Sequence, residues 1–298
     1  MRTATRPDAE AKAAVLAEAL PYIREFAGRT IVIKYGGNAM TGPQSPGGAG
    51  MSPGYLDLFA QDVVLMRLVG MNPVVVHGGG PQISDLMRRL GKEPSFVDGQ
   101  RVTDAETIDI VRMALVGKVN RDVVGALNRH GPYAVGLSGE DAGLITVAQR
   151  DPKLGFVGDV TAVNASVLER QIAEELIPVV ATIGVDVGGQ AHNVNADAVA
   201  GAIAEALGAA KLVYLTNVAG LYRDVADPSS LISQIDAGAL EGMLADGALA
   251  EGMVPKIASV VSALRRGVGR AHLLDGRIPH ALLLEFFTRA GVGTMVVP

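Results

Sequence analysis

One grammar recurs along this chain: a short β-branched or valine-rich run, a glycine turn, then a helix. Thr30 to Lys34 runs into Gly36-Gly37, and Pro73 to His77 runs into Gly78-Gly79-Gly80. Pro81 then suits the first turn of a helix that Gly91 closes. The alternation continues with a helix near 165 to 175, strand Pro178 to Thr182, helix Ala196 to Leu207 and strand Lys211 to Thr216. Helix Val254 to Arg266, strand Arg270 to Leu274, helix Pro279 to Arg289 and strand Thr294 to Val297 complete it. Such a pattern predicts an α/β fold with an open, mostly parallel sheet sandwiched between helices. Ligands bind such sheets where strands end at their carboxyl edge, so both glycine turns should border one crevice.

Residues 9 to 27 predict an N-terminal helix with Val15, Leu16, Leu20, Ile23 and Phe26 along one stripe, stopped by Gly28. Pro21 inside it predicts a kink. The stripe packs either on its own domain or on another subunit, and both readings stay open. Residues 41 to 54 are too rich in glycine and proline for regular structure, and helical spacing resumes over Tyr55 to Val69. Thr103 and Glu106 fit a capping box for a helix running to Gly131, and residues 133 to 163 alternate strand-like runs with turns.

Hydrophobic residues make up 49% of the 298 and charged residues 19%, which excludes disorder. No apolar run reaches the roughly 18 residues of a membrane span. A net charge of -5 argues against a general role on nucleic acid or membrane surfaces. The absence of cysteine removes disulfides and thiolate chemistry, and no secretory signal is legible, so the expected location is cytoplasmic.

Lys34 ends a buried strand two residues before Gly36, an arrangement that suits a phosphate cradled by backbone N–H groups of Gly36 and Gly37. The glycines after His77 expose further N–H groups at a helix start, fit for a carboxylate or phosphate. A dinucleotide fold is the rival, but G-x-G-x-x-G is missing at both turns. His77 reads as a structural strand-end residue rather than a base. Asn195 reads as a helix cap, leaving Asn193 and Asp197 to face the crevice. Lys256 in the first turn of its helix opposes the helix dipole, which points to an anionic partner such as Asp197 or a phosphate.

The runs Lys34-Tyr35-Gly36-Gly37-Asn38-Ala39-Met40, His77-Gly78-Gly79-Gly80-Pro81-Gln82-Ile83, Arg101-Val102-Thr103, Asn193-Val194-Asn195-Ala196-Asp197 and Gly252-Met253-Val254-Pro255-Lys256 together resemble the acetylglutamate kinases of the amino-acid kinase family. They occur in family order across nearly the whole chain after residue 29. The resemblance implies ATP as donor, N-acetyl-L-glutamate as acceptor, and an acyl phosphate formed on the γ-carboxylate in arginine biosynthesis. It implies Lys34 and Lys256 on the transferring phosphoryl group, Asp197 orienting both, and Gly36 and Gly37 on phosphate oxygens. Gly78, Gly79, Arg101 and Asn193 would bind acetylglutamate. Thr216, Asn217, Gly220, Leu221, Tyr222 and Met253 would form the nucleotide side. Mg2+ would arrive on the ATP phosphates, with no dedicated ligand set in the chain.

Two positions depart from the family pattern: Asn217 where many relatives carry Asp, and Glu251 where Gly is frequent. Lys211, His272, Glu285 and Gly291 resemble the segment that binds inhibitory L-arginine in feedback-regulated members, whose kinked N-terminal helix links dimers into a hexamer, a trimer of dimers. The resemblance divides the chain into an oligomerisation helix over 1–28, an acetylglutamate-binding and dimerisation lobe over 29–195, and an ATP-binding lobe over 196–298. A sibling kinase for another carboxylate, and a non-catalytic nucleotide- or arginine-binding regulator, are the alternatives.

Overall fold

The computed structural model describes residues 6–36, 53–224, 226–247, 249, 252–288 and 291–298. Gly37, Glu251 and most of the 41 to 54 segment lie outside them.

The strands follow the β-branched runs. β1 (Thr30–Tyr35), β2 (Asn72–His77), β5 (Ala134–Ser138), β8 (Ile177–Ala181), β11 (Lys211–Thr216), β12 (Gln234–Asp236), β13 (Arg270–Asp275) and β14 (Thr294–Val297) form one sheet in the order β12-β14-β13-β11-β1-β2-β8-β5. All neighbours are parallel except β13 and β14. Alternate residues divide between two cores, as the two-residue strand period demands. Val32, Leu212 and Tyr214 pack under α7 (Ala196–Ala206) and α9 (Val254–Arg265). Ile31, Ile33, Val213 and Leu215 pack against α2 (Pro53–Leu68). Both sheet faces are therefore dry, and the strands read as continuous apolar runs. The two lobes expected from the sequence share this sheet, joined where β1 pairs with β11.

Helix α1 (Arg6–Phe26) stays continuous through Pro21. Its end packs on the body through Phe26, edge-on to Phe286 at 5.8 Å, whereas Leu16 and Leu20 are 73% and 55% exposed. α2 begins at Pro53, two residues inside the expected loop, because proline tolerates a first-turn position. α3 (Gly80–Arg89) follows the second glycine turn.

The helix after residue 103 corrects the capping-box expectation. Asp104 has the extended backbone of a cap, and its carboxylate accepts from the Thr107 N–H at 2.8 Å. Thr103 instead donates its hydroxyl to the Arg101 carbonyl, and Glu106 pairs with Lys92. The helix runs as α4 (Ala105–Arg112), a π-helical stretch Met113–Asn120, and α5 (Arg121–Asn128). Late in the chain, α10 covers Ala281–Phe287, shorter than expected because His280 takes a left-handed backbone (φ 57).

The strand-like runs expected over 133 to 163 appear as β5, β6 (Ile145–Gln149) and β7 (Val157–Val163), whereas the closure of a barrel and the short strands around it carry no clear signal in the sequence. β6, β7, β9 (Ile183–Val185) and β10 (Ala191–Val194) close into a small barrel beside the main sheet. β3 (Phe96–Val97) and β4 (Gln100–Arg101) form a hairpin. α6 (Ala165–Ala173) falls where expected, and α8 (Ala237–Ala245) is capped by Asp236, which accepts from the Ala239 N–H. No described helix is long and apolar enough to cross a membrane.

Candidate active site

Parallel pairing sets β1, β2 and β11 level at their carboxyl ends: Tyr35 lies opposite both Leu215 and His77. Lys34 therefore emerges one residue short of the crevice. Across it, Asn195 caps α7 by accepting from the N–H groups of Asp197 and Ala198, which fixes Asp197 in the first helical turn. Pro255 opens α9 and sets Lys256 one residue further. Asp197 bridges the two cations, with one carboxylate oxygen 2.9 Å from Lys34 Nζ and the other 2.9 Å from Lys256 Nζ. All three side chains are largely buried. Burial opposes ionisation of Asp197, but the two ammonium groups outweigh it and hold the carboxyl below its usual range. Burial and the neighbouring Lys34 push Lys256 down, while Asp197 pulls it back up. Two ammoniums against one carboxylate leave a net positive charge in a poorly solvated place, a receptor for an anion.

Gly36 stands next to this charge. A Cβ there would lie 2.9 Å from the Leu215 carbonyl and 3.2 Å from Lys34 Nζ, so only glycine lets the turn and the lysine coexist.

The Asp197–Lys34 pair lines a cavity of about 270 Å³, bordered also by Gly78, Gly79, Arg101, Asn193 and Asn195. Arg101, also in the cavity wall, is buried, donating to the Gly80 carbonyl at 3.0 Å and the Ser84 hydroxyl at 2.8 Å, with Phe96 stacked at 4.8 Å. It forms no ion pair with a described residue, and burial lowers its pKa to about 10. A buried guanidinium without a carboxylate suits a ligand that brings one. Gly79 is the N-cap of α3, and no side chain caps it. A Cβ on Gly79 would meet Leu115 Cδ2 at 2.7 Å, which explains the missing side chain by packing.

His77 is the structural residue its position implied. Its ring contacts the Gly78 carbonyl through Nδ1 and the Asn120 amide through Nε2, and burial lowers its pKa to about 4. Reading the sequence missed Arg150, which lines the cavity, pairs with Asp159 and reaches Gln100 on the hairpin. A basic residue at a strand's carboxyl end, one residue beyond β6 as Lys34 is one residue inside β1, was the available signal.

The residues assigned to the nucleotide side stand apart from this cavity. Thr216 ends β11 at the same sheet edge, and its hydroxyl is engaged by Val218. The Asn217 carbonyl accepts from Arg277 at 2.7 Å. Gly220 makes room for the Thr294 hydroxyl, which would lie 2.3 Å from a Cβ. Leu221 donates its N–H to that hydroxyl, accepts from Ile232 N–H through its carbonyl and buries its side chain. Tyr222 bridges to Leu231, and Met253 precedes α9.

Residues 29–275 match the amino acid kinase family. The chain belongs to the amino acid kinase family. A protein from Symbiobacterium thermophilum named acetylglutamate kinase is 54% identical to this amino acid kinase, over 96% of this chain and 97% of its own length. Two crystal structures of N-acetylglutamate synthase from Neisseria gonorrhoeae superpose with TM-score 0.80 over 96% of this chain. One holds coenzyme A and N-acetylglutamate (28% identity), the other coenzyme A and L-arginine (27% identity). This chain spans 63% and 65% of those longer chains.

This amino acid kinase has a second cavity, about 450 Å³, between α1 and α10. It gathers Lys211, His272, Glu285 and Gly291, together with Glu25 and Arg270. Lys211 Nζ sits over the rings of Phe26 and Phe286 at 4.3 and 4.5 Å, and burial with the nearby Arg270 lowers its pKa to about 8. His272 Nδ1 lies 2.7 Å from Glu285. Burial pushes the imidazole down, so a neutral ring donates to an ionised carboxylate, which also accepts from the Val292 N–H.

Proposed function

We propose that this amino acid kinase transfers the γ-phosphoryl group of ATP to the γ-carboxylate of N-acetyl-L-glutamate, an acyl-activating step of arginine biosynthesis. The observation that carries the reading is one cavity lined both by a buried guanidinium that has no ion-pair partner among the described residues and by Lys34 and Asp197, the carboxylate that Lys256 also holds. A dicarboxylate fits between them. Its α-carboxylate meets Arg101, Asn193 and the Gly78–Gly79 turn hold the remainder, and the γ-carboxylate points at the lysines. The 54% identity to the S. thermophilum kinase supports the same substrate.

A carboxylate is ionised at neutral pH, so its oxygen attacks the γ-phosphorus without a general base. The new O–P bond forms as the bond to the β–γ bridging oxygen breaks, and ADP leaves carrying the electron pair. The difficulty is bringing two anions together. Lys34 and Lys256 offset that repulsion and the charge that spreads over the phosphoryl oxygens, while Asp197 holds both in position. Gly36 and Gly37 offer backbone N–H groups to phosphate oxygens, and the turn after β11, Thr216 to Tyr222, with Met253 borders the nucleotide. Mg2+ would neutralise charge on ATP, arriving on its phosphates, since no cluster of acidic or imidazole side chains that could hold a metal occurs among the described residues. The need for ATP puts the enzyme in the cytoplasm.

In the same reading the second cavity takes L-arginine as a feedback inhibitor, with acidic Glu25 and Glu285 for its guanidinium and basic Lys211 and Arg270 for its carboxylate. α1 joins dimers into a hexamer.

A coupled ADP-release assay with N-acetylglutamate, glutamate and aspartate tests the substrate: turnover is expected with the acetylated compound, and none with any of the three sinks the reading. Lys34→Ala should lower kcat by about 100-fold or more while acetylglutamate binding by calorimetry stays within about threefold.

A further inference from the structure

Beneath the clamp lies a buried hydroxyl chain that the reaction as described does not use. Lys34 and Tyr214 are register partners on β1 and β11, so their side chains leave the same face of the sheet. The Tyr214 ring lies under the other lysine, with Lys256 Nζ 5.1 Å from its centroid. Ser259, one turn along α9 from Lys256, donates its hydroxyl to the backbone carbonyl of Asp197 at 2.7 Å. With that proton committed, the Tyr214 hydroxyl donates to Ser259 Oγ at 2.8 Å and also lies 3.3 Å from the Asp197 carbonyl. Burial and the Asp197 carboxylate keep the phenol protonated and able to donate. Gly201 on α7 makes the closeness possible, because a Cβ there would fall 2.6 Å from Ser259 Oγ.

We infer that Tyr214 and Ser259 are positioning residues for phosphoryl transfer: the phenol ring beds the Lys256 ammonium, and the two hydroxyls fix the backbone of Asp197. The inference rests on the proposed kinase reaction for its kinetic consequence only. Hydrogen bonds from two elements meet at one carbonyl, so α7 and α9 are tied at the residues that carry Asp197 and Lys256. A tie there sets the spacing of the clamp, and reaction rates fall steeply when charged groups are misplaced by about an ångström. The ring has a second effect. The groups facing Lys256 are Lys34 from β1, Asp197 from α7 and Tyr214 from β11. Burial and Lys34 disfavour the charged ammonium, whereas Asp197 and the π-face favour it. Removing the ring should let Lys256 lose its proton at lower pH.

The test compares the parent with Tyr214→Phe, Tyr214→Leu and Ser259→Ala in the full chain. Two readouts are needed: the pH dependence of kcat, and an NMR titration of the Lys256 Cε resonance, assigned through Lys256→Arg. Tyr214→Leu should move both the alkaline limb and the Cε titration down by about one pH unit. Tyr214→Phe keeps the ring and should keep both at the parental pH. Tyr214→Phe and Ser259→Ala should each lower kcat by about three- to tenfold, with KM for acetylglutamate and ATP within about twofold. An unmoved titration in folded Tyr214→Leu overturns the role of the ring. If that variant does not fold, parental kcat in both Tyr214→Phe and Ser259→Ala overturns the inference, and the expected loss upholds it. A parent without turnover refutes the proposed reaction instead, and the Cε titration then decides the positioning claim alone.

Discussion

Two buried titratable groups away from the clamp pull stability in opposite directions with pH. His77 titrates near 4 because burial disfavours its charged form, so the folded state stays neutral where the unfolded chain gains a proton. Its contribution to stability falls as pH drops from about 6.5 to about 4. Asp62, paired with His280 at 2.6 Å, is raised by burial to about 6. The folded state then takes a proton before the unfolded chain does, so this contribution grows as pH drops from about 6 to about 4. Each effect amounts to about 3 kcal/mol, at about 1.4 kcal/mol per pH unit. Asp62→Asn should therefore destabilise on acidification more steeply than the parent. Urea-unfolding midpoints at several pH values between 4 and 7 measure this, and parallel slopes would refute it. The sequence marks His77 only as a strand-end residue and Asp62 not at all, since the burial that shifts both depends on other elements packing over them. Lys34 is legible because a cation rarely ends a buried strand without an anion to meet. Arg101 is different: nothing local distinguishes it, and only its place after the second glycine turn, in family order, singled it out.

Among the elements, the π-helical stretch has the sharpest consequence for the site. Leu115 and Val119 leave it to pack against the glycine turn, and Asn120 reaches His77 and the Val179 carbonyl. Gly79 has a φ of 174, outside the left-handed region, and the close approach of Leu115 and Val119 demands a residue without a side chain there. Gly79→Ala brings a methyl group 2.7 Å from Leu115 Cδ2 and should cost about 1 to 3 kcal/mol. Thermal unfolding should show a drop of several degrees, and combining the change with Leu115→Ala should cost less than the sum of the two single changes, because the two sites are in contact. A double variant no better than the sum of the singles would count against this packing account. Strands β1, β2, β11 and β14 were readable from their β-branched runs within about one residue. The barrel's closure was not, because β7 meets β10 and β6 meets β9 only across more than 30 residues, although β6–β7 and β9–β10 pair as sequence neighbours. The π stretch hides for another reason: its apolar spacing is close enough to 3.6 that it reads as plain α-helix.

At the scale of the whole molecule, Leu16 and Leu20 leave an apolar stripe of α1 in solvent while Phe26 anchors its end beside Lys211 and the second cavity. Deleting residues 1–27 should reduce a hexamer to dimers and weaken arginine inhibition, since the deletion also removes Glu25 and Phe26 from the cavity wall. Light scattering gives the mass, and an unchanged mass would refute the role of the helix. One open, mostly parallel sheet was legible from the alternation of strands and helices; the order of its strands was not, because β1 finds β11 about 180 residues later, a pairing no window of sequence contains. That pairing has a consequence during synthesis. A nascent chain stopped at residue 195 already contains Lys34, Gly79 and Arg101, yet lacks β11, Asp197 and Lys256. The ribosome must deliver the second half before the two lysines can share their carboxylate, so a polypeptide stopped at residue 195 carries Lys34 without the partner that holds it in the folded protein.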